Sequence, residues 1–154
     1  MLQEQSIFIK LKGFNQLIED SLKKKIKISD ILEHNDFTQE EIAILKSEKL
    51  KQFLDLIIFG LKCSLIGSFT GNRQAEILVK RYGLDGGRVL TLQQMGDEFG
   101  VSKERVRQLQ EKMLKKLTPT KTRHILEEII VLTACNVLEK EYSPNLRDKE
   151  NNEL

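Results

Sequence analysis

The stretch Leu92 to Glu111, LQQMGDEFGVSKERVRQLQE, constrains this chain more tightly than any other. Thr91 and Gln94 form a capping box ahead of a first short helix, with Leu90 and Met95 placed as its hydrophobic staple. Gly100 ends that helix where a positive φ is wanted. Ser102 caps a second helix running to about Leu117, with Val101 and Val106 as its staple. Gly96 is small where the second helix must cross close to the first, and Met95, Phe99, Val101, Val106 and Leu109 supply an apolar wedge. Two short capped helices joined through a glycine make a helix-turn-helix layout.

The second helix has two unlike sides. Val106, Leu109, Met113, Leu114 and Leu117 follow a helical period and point inward. Lys103, Glu104, Arg107, Gln108, Glu111, Lys112 and Lys115 point outward. Arg or Lys suits guanine O6 and N7, Gln suits adenine, and Glu accepts from the cytosine amino group. The start of such a helix is the part that reaches base edges, which favours Lys103, Glu104, Arg107 and Gln108 as base readers. Arg105, Lys112, Lys115 and Lys116 are better placed for phosphates or for a partner protein. The plain alternative is an amphipathic helix with a solvated charged face.

Charge distribution agrees with an anionic partner for this part of the chain alone. The 154 residues carry a formal net charge of only +2. Residues 1–70 are neutral, residues 71–124 carry +6, and residues 125–154 carry −4. The remaining sequence reads as helices, so the expected fold is all-α. Phe14, Leu17, Ile18, Leu22 and Ile26 mark a first amphipathic helix. Phe37 to Ile42 is a helix start, with Thr38 and Glu41 as a capping box. The apolar helix that follows is expected to be buried on most sides, Cys63 included. Gly60, Gly67 and Gly71 then loosen the chain, and a shorter helix runs from about Arg73 to Tyr82, with Gly83 as its left-handed cap. A final apolar helix covers Ile125 to Leu138, with Thr118-Pro119 or Lys121-Thr122 as its approach. Phe53–Ile66 and Ile125–Leu138 are expected to pack on one another; a homodimer is the alternative use of their apolar faces.

These readings divide the chain into a helical region of unassigned role (1–70), a helix-turn-helix domain (71–122), a packing or interaction helix (123–142) and a polar tail (143–154). Cys63, Cys135, His34 and His124 form no ligand-like cluster, so no metal and no disulfide framework is expected. No phosphate-binding glycine loop or paired nucleophile and base is visible, so an enzyme, a cofactor and a small-molecule substrate are not expected. The N-terminus lacks a basic start followed by a long apolar run, and Asp55 and Lys62 interrupt the longest apolar stretch. A cytoplasmic protein with no membrane partner is the expectation.

The segment from Arg73 to Leu117, RQAEILVKRYGLDGGRVLTLQQMGDEFGVSKERVRQLQEKMLKKL, resembles region 4 of sigma-70-type RNA polymerase sigma factors, their C-terminal promoter-binding domain. The likeness runs without a gap through the RYGLDGG turn, the opening of the first helix and the SKERVRQ recognition helix. It implies that Lys103, Glu104, Arg105, Arg107 and Gln108 form the surface reading an upstream, minus-thirty-five promoter element. It implies further that Arg73, Arg81 and Leu92 approach the DNA backbone, and that Lys112 and Lys115 meet activators bound alongside. The helix from Arg73 to Tyr82 would dock on the polymerase β flap. Lys103 stands where many family members carry Arg, and lacks the planar fork for a bidentate guanine contact. Residues 1–70 hold no Trp, Tyr or Arg, so they are not expected to supply the aromatic DNA-melting surface of a full primary sigma factor. A different use of the same domain is as an adaptor, holding the β flap or an anti-sigma protein without a DNA target of its own.

Overall fold

A computed structural model describes residues 2–65 and 71–142. Among them the chain is all-helical, with α1 (Leu2–Leu22), α2 (Ile28–His34), α3 (Gln39–Leu45), α4 (Leu50–Leu65), α5 (Gly71–Tyr82), α6 (Leu92–Phe99), α7 (Lys103–Leu117) and α8 (Ile125–Leu138). One buried apolar cluster joins every part, from Phe14, Leu17 and Ile18 through Leu54, Ile57 and Leu78 to Val106, Met113, Ile130 and Ala134.

The local signals around α3, α5, α6 and α7 become structure as expected. Thr38 Oγ1 accepts from the Glu41 amide at 3.1 Å, and the Glu41 carboxylate returns the bond to the Thr38 amide at 2.9 Å. Phe37 and Ile42, the staple pair, are both buried. Gly83 takes φ +69°, closing α5 in the left-handed conformation.

Four expectations change. The first helix ends at Leu22, not Ile26, because Lys23 turns to φ +55°. Ile26 then leads into a separate helix, α2, whose first amide is satisfied from afar by Asn15 Oδ1 at 3.0 Å. The helix begun at Thr38 stops at Leu45, since Lys49 donates back to the Ile44 carbonyl and Leu50 starts α4 afresh. α4 is not buried all round: Phe53, Leu54, Ile57, Leu61 and Leu65 face inward, while Phe59 is 67% exposed and Cys63 is exposed. Cys63 lies on the side away from Leu61 and Leu65, and only Cys135 is buried. Gly60 sits within this helix, where its bare Cα lets Ile129 of α8 approach. Finally, neither Thr118-Pro119 nor Lys121-Thr122 starts α8, which begins at Ile125. Thr118 instead closes α7, donating its hydroxyl to the Leu114 carbonyl at 2.8 Å. Ile66, Gly67 and the 143–154 tail lie outside the described residues.

Packing puts α4 against both α8 and α5. α1 packs against α5 and α7 and touches α4 as well, and it comes closest at α5. A Cβ on Gly13 would stand 2.0 Å from the Tyr82 carbonyl oxygen, so only glycine allows the two backbones to meet there. Lys10 of α1 also pairs with Asp55 of α4 at 2.9 Å. The helix-turn-helix is thus held from behind by α5 and α1, which α4 backs in turn, with the outer side of α7 turned to solvent.

Candidate nucleic-acid interface

The angle between α6 and α7 is set by backbone proximity. The Val101 amide donates to the Gly96 carbonyl at 3.0 Å, and a Cβ on Gly96 would lie 2.7 Å from the Val101 carbonyl oxygen. Gly100 takes φ +68°, with nothing within 4 Å of its would-be Cβ, so conformation and not space requires glycine there. The Thr91–Gln94 capping box forms in both directions, at 3.1 and 2.9 Å. Ser102 Oγ accepts from the Arg105 amide at 3.0 Å, fixing the first turn of α7. Met95, Val106, Met113 and Leu117 are buried beneath this corner, and Phe99, Val101, Leu109 and Leu114 pack half-buried around them.

With its inner side fixed, α7 exposes Lys103, Glu104, Arg105, Arg107, Gln108, Glu111, Lys112 and Lys115. Lys116 is half-buried. Lys103, Lys112 and Lys115 make no ion pair among the described residues. Arg105 reaches toward Gln108 Oε1 at 3.4 Å. Arg107 is the most engaged of the set. Its Nε and Nη2 donate to the two carboxylate oxygens of Glu104 at 2.9 and 2.6 Å, and its Nη1 donates to Glu111. The hydrogen bonds from Arg107, then its positive charge, hold the Glu104 carboxyl below its ordinary value, and the two carboxylates raise the already high guanidinium value.

Arg73, Arg81 and Leu92, which the resemblance puts along the DNA backbone, lie off α7. Arg73 lies in the first turn of α5. Arg81, at the end of α5, is half-buried; its Nη1 donates to the Leu90 carbonyl at 2.9 Å and its Nε to Gln110 Oε1 at 3.2 Å. It therefore ties α5 to the connection ahead of α6 and to α7. Leu92, the first residue of α6, is half-buried and packs against the core. Lys80 pairs with Glu98 and lies over the Phe99 ring at 5.6 Å, fastening α5 to α6.

Two features carry more weight here than sequence reading assigned them. The Glu104–Arg107–Glu111 cluster is signalled by its i, i+3 and i, i+4 spacing. The hold of α1 on α5 has no such local signal. Among the described residues no group of His, Cys, Asp or Glu could hold a metal ion, and no helix is long and apolar enough to cross a membrane.

Comparison with known proteins agrees with the geometry. Residues 72–118 match the family described as Sigma-70, region 4. The RNA polymerase sigma factor SigA of Synechocystis is 28% identical over 149 residues, covering 79% of this chain and 35% of that protein. SigA1 of Synechococcus elongatus is 45% identical over 95 residues, 62% of this chain and 23% of that protein. The sigma factor sigB of Arabidopsis thaliana is 29% identical over 110 residues, 71% of this chain and 18% of that protein. The chain thus spans about a third or less of the length of these relatives. No solved structure matches it. The helix before the corner and the corner itself, residues 72–118, are the part of the chain that is similar to sigma-70 region 4.

Proposed function

We propose that the chain binds double-stranded promoter DNA through α7 and acts with RNA polymerase in transcription initiation, in the cytoplasm. The carrying observation is the outward face of α7: Lys103, Glu104, Arg107 and Gln108 are exposed together on the first turns of a helix whose angle two glycines set. In this reading those four residues read the bases of a minus-thirty-five type element. Arg105, Lys112 and Lys115 meet the flanking phosphates, with Arg73, Arg81 and Leu92 at the edge of the footprint. In this reading the functional unit is 71–122, with α1 and α4 packed against it.

A salt series tests this directly. Neutralising roughly five phosphates gives a slope near −4 to −5 for log affinity against log salt on duplex DNA. A flat response overturns DNA binding.

A second reading, the adaptor, has its own support. Phe8 and Val89, exposed by 69% and 49%, border a cavity of ≈ 640 Å³ between α1 and the end of α5, also lined by Ile9, Lys12 and Tyr82. An apolar surface of that kind suits a protein partner such as the β flap or an anti-sigma protein. Retention by core RNA polymerase together with a flat salt response on DNA selects the adaptor.

A further inference from the structure

The cluster on α7 does more than display an arginine. Glu104 takes the Nε and Nη2 donors of Arg107, and Glu111 takes a donor on Nη1. A guanidinium has five N–H donors, so one remains on each terminal nitrogen. Two donors are what guanine O6 and N7 accept. A phosphate is drawn chiefly by net charge, and two carboxylates turn the charge of this cluster from plus one to minus one. Holding Arg107 in this way opposes attraction to any phosphate while leaving it equipped for one base edge.

Glu104 is already a base-reading candidate at the start of the helix. Glu111 lies one turn beyond Arg107, is exposed, and forms no other ion pair among the described residues. We propose that Glu111 is a specificity-determining residue for DNA: by holding Arg107, it weakens binding to random sequence more than binding to the preferred site. Glu111 is a positioning residue, acting through Arg107 and not through the bases. The inference rests on the DNA-binding reading above.

The test uses the full chain, wild type and Glu111→Gln, with two probes: a random-sequence duplex, and the duplex that the wild type enriches from a random pool. Glu111→Gln keeps the side-chain length and drops the charge. Affinity for the random duplex is expected to rise roughly two- to five-fold, with its salt slope steeper by about one as Arg107 turns to a phosphate. Affinity for the enriched duplex is expected to change by less than about two-fold, so the ratio between the probes falls. In an Arg107→Ala background the gain from Glu111→Gln on the random duplex is expected to fall well short of the wild-type gain, leaving only the relief of carboxylate repulsion, with no steeper salt slope.

Persistence of the full effect without Arg107 overturns the inference, because Glu111 would then act as bulk negative charge. An equal gain on both duplexes, or no change in their ratio, overturns it as well while leaving DNA binding standing. A wild-type chain that enriches no sequence brings down both the DNA reading and the role of Glu111.

Discussion

Tyr82 donates its phenol hydroxyl to the Asp20 carboxylate at 2.6 Å, joining the end of α5 to α1. On the same residue, the main-chain carbonyl meets Gly13 of α1 at a distance no side chain tolerates. One residue of the matched segment thus meets α1 with both its side chain and its backbone. α1 is a seated part of the fold, and the helix-turn-helix is braced by a helix from outside the matched segment.

That hydrogen bond has a pH signature. Burial first, then the hydrogen bond to Asp20 and its negative charge, push the Tyr82 phenol well above the ordinary value of 10.0. A folded value raised above the unfolded one contributes stability that is fully present below about pH 10. That contribution is lost as pH climbs toward the folded value. Tyr82→Phe is expected to cost about 1–2 kcal/mol at pH 7. Urea unfolding at pH 7 and again above pH 10 should show the gap between wild type and variant narrowing. A gap that stays constant with pH would mean that Tyr82 contributes packing alone.

The two glycines of the corner fail differently when substituted. Gly96→Ala gains helix propensity but drives a Cβ against the Val101 carbonyl, backbone against backbone, and is expected to cost about 1–3 kcal/mol. Gly100→Ala meets no atom and costs about 1 kcal/mol for its left-handed φ alone. Gly100→Asn, which tolerates that conformation, costs less. Denaturant midpoints should rank Gly100→Asn, Gly100→Ala and Gly96→Ala in order of increasing loss. Any other order contradicts the division between conformational and steric need.

Arg81 offers a sharper choice between structure and DNA. Its fork spans the Leu90 carbonyl and Gln110, a geometry that the single ammonium of Lys does not reproduce. Arg81→Lys is expected to lower stability by about 1 kcal/mol and to leave the salt slope on duplex DNA unchanged. Unchanged stability with weaker binding to duplex DNA would leave Arg81 with the phosphate role alone.

What could be read from the sequence follows the range of the interactions involved. The corner was legible because its signals are local: Thr91 with Gln94, Ser102 with Arg105, and Gly100 all act within four residues. α2 was not, because the side chain that satisfies its first amide comes from Asn15, thirteen residues upstream. α8 has no side-chain cap at His124 to announce its start. The exposure of Cys63 and Phe59 depends on which side of α4 receives α8, and the apolar run itself does not specify that. On α7 the exposed row follows from the helical period. The hold on Arg107 needed only the spacing of two glutamates to be weighed, whereas the hold on Arg81 needed the path of the chain from Gly83 to Leu90.

The exposed row of α7 separates base reading from phosphate binding. Arg107 lies near the start of the helix and keeps donors for a base edge, whereas Lys115 lies near its end and presents one unpaired ammonium. Arg107→Ala is therefore expected to weaken binding to the enriched duplex by roughly 1–3 kcal/mol and to relax the preferred sequence at one position. Removing the arginine also frees Glu104 and Glu111, whose carboxylates then face the DNA uncompensated, so part of that loss is repulsion. Lys115→Ala is expected to lower affinity about equally on all sequences and to reduce the salt slope by about one. Parallel selections from one random pool, followed by salt titrations on the recovered duplexes, distinguish the two effects. If Arg107→Ala kept the wild-type preference and affinity, the base-reading face would have to be sought elsewhere on α7.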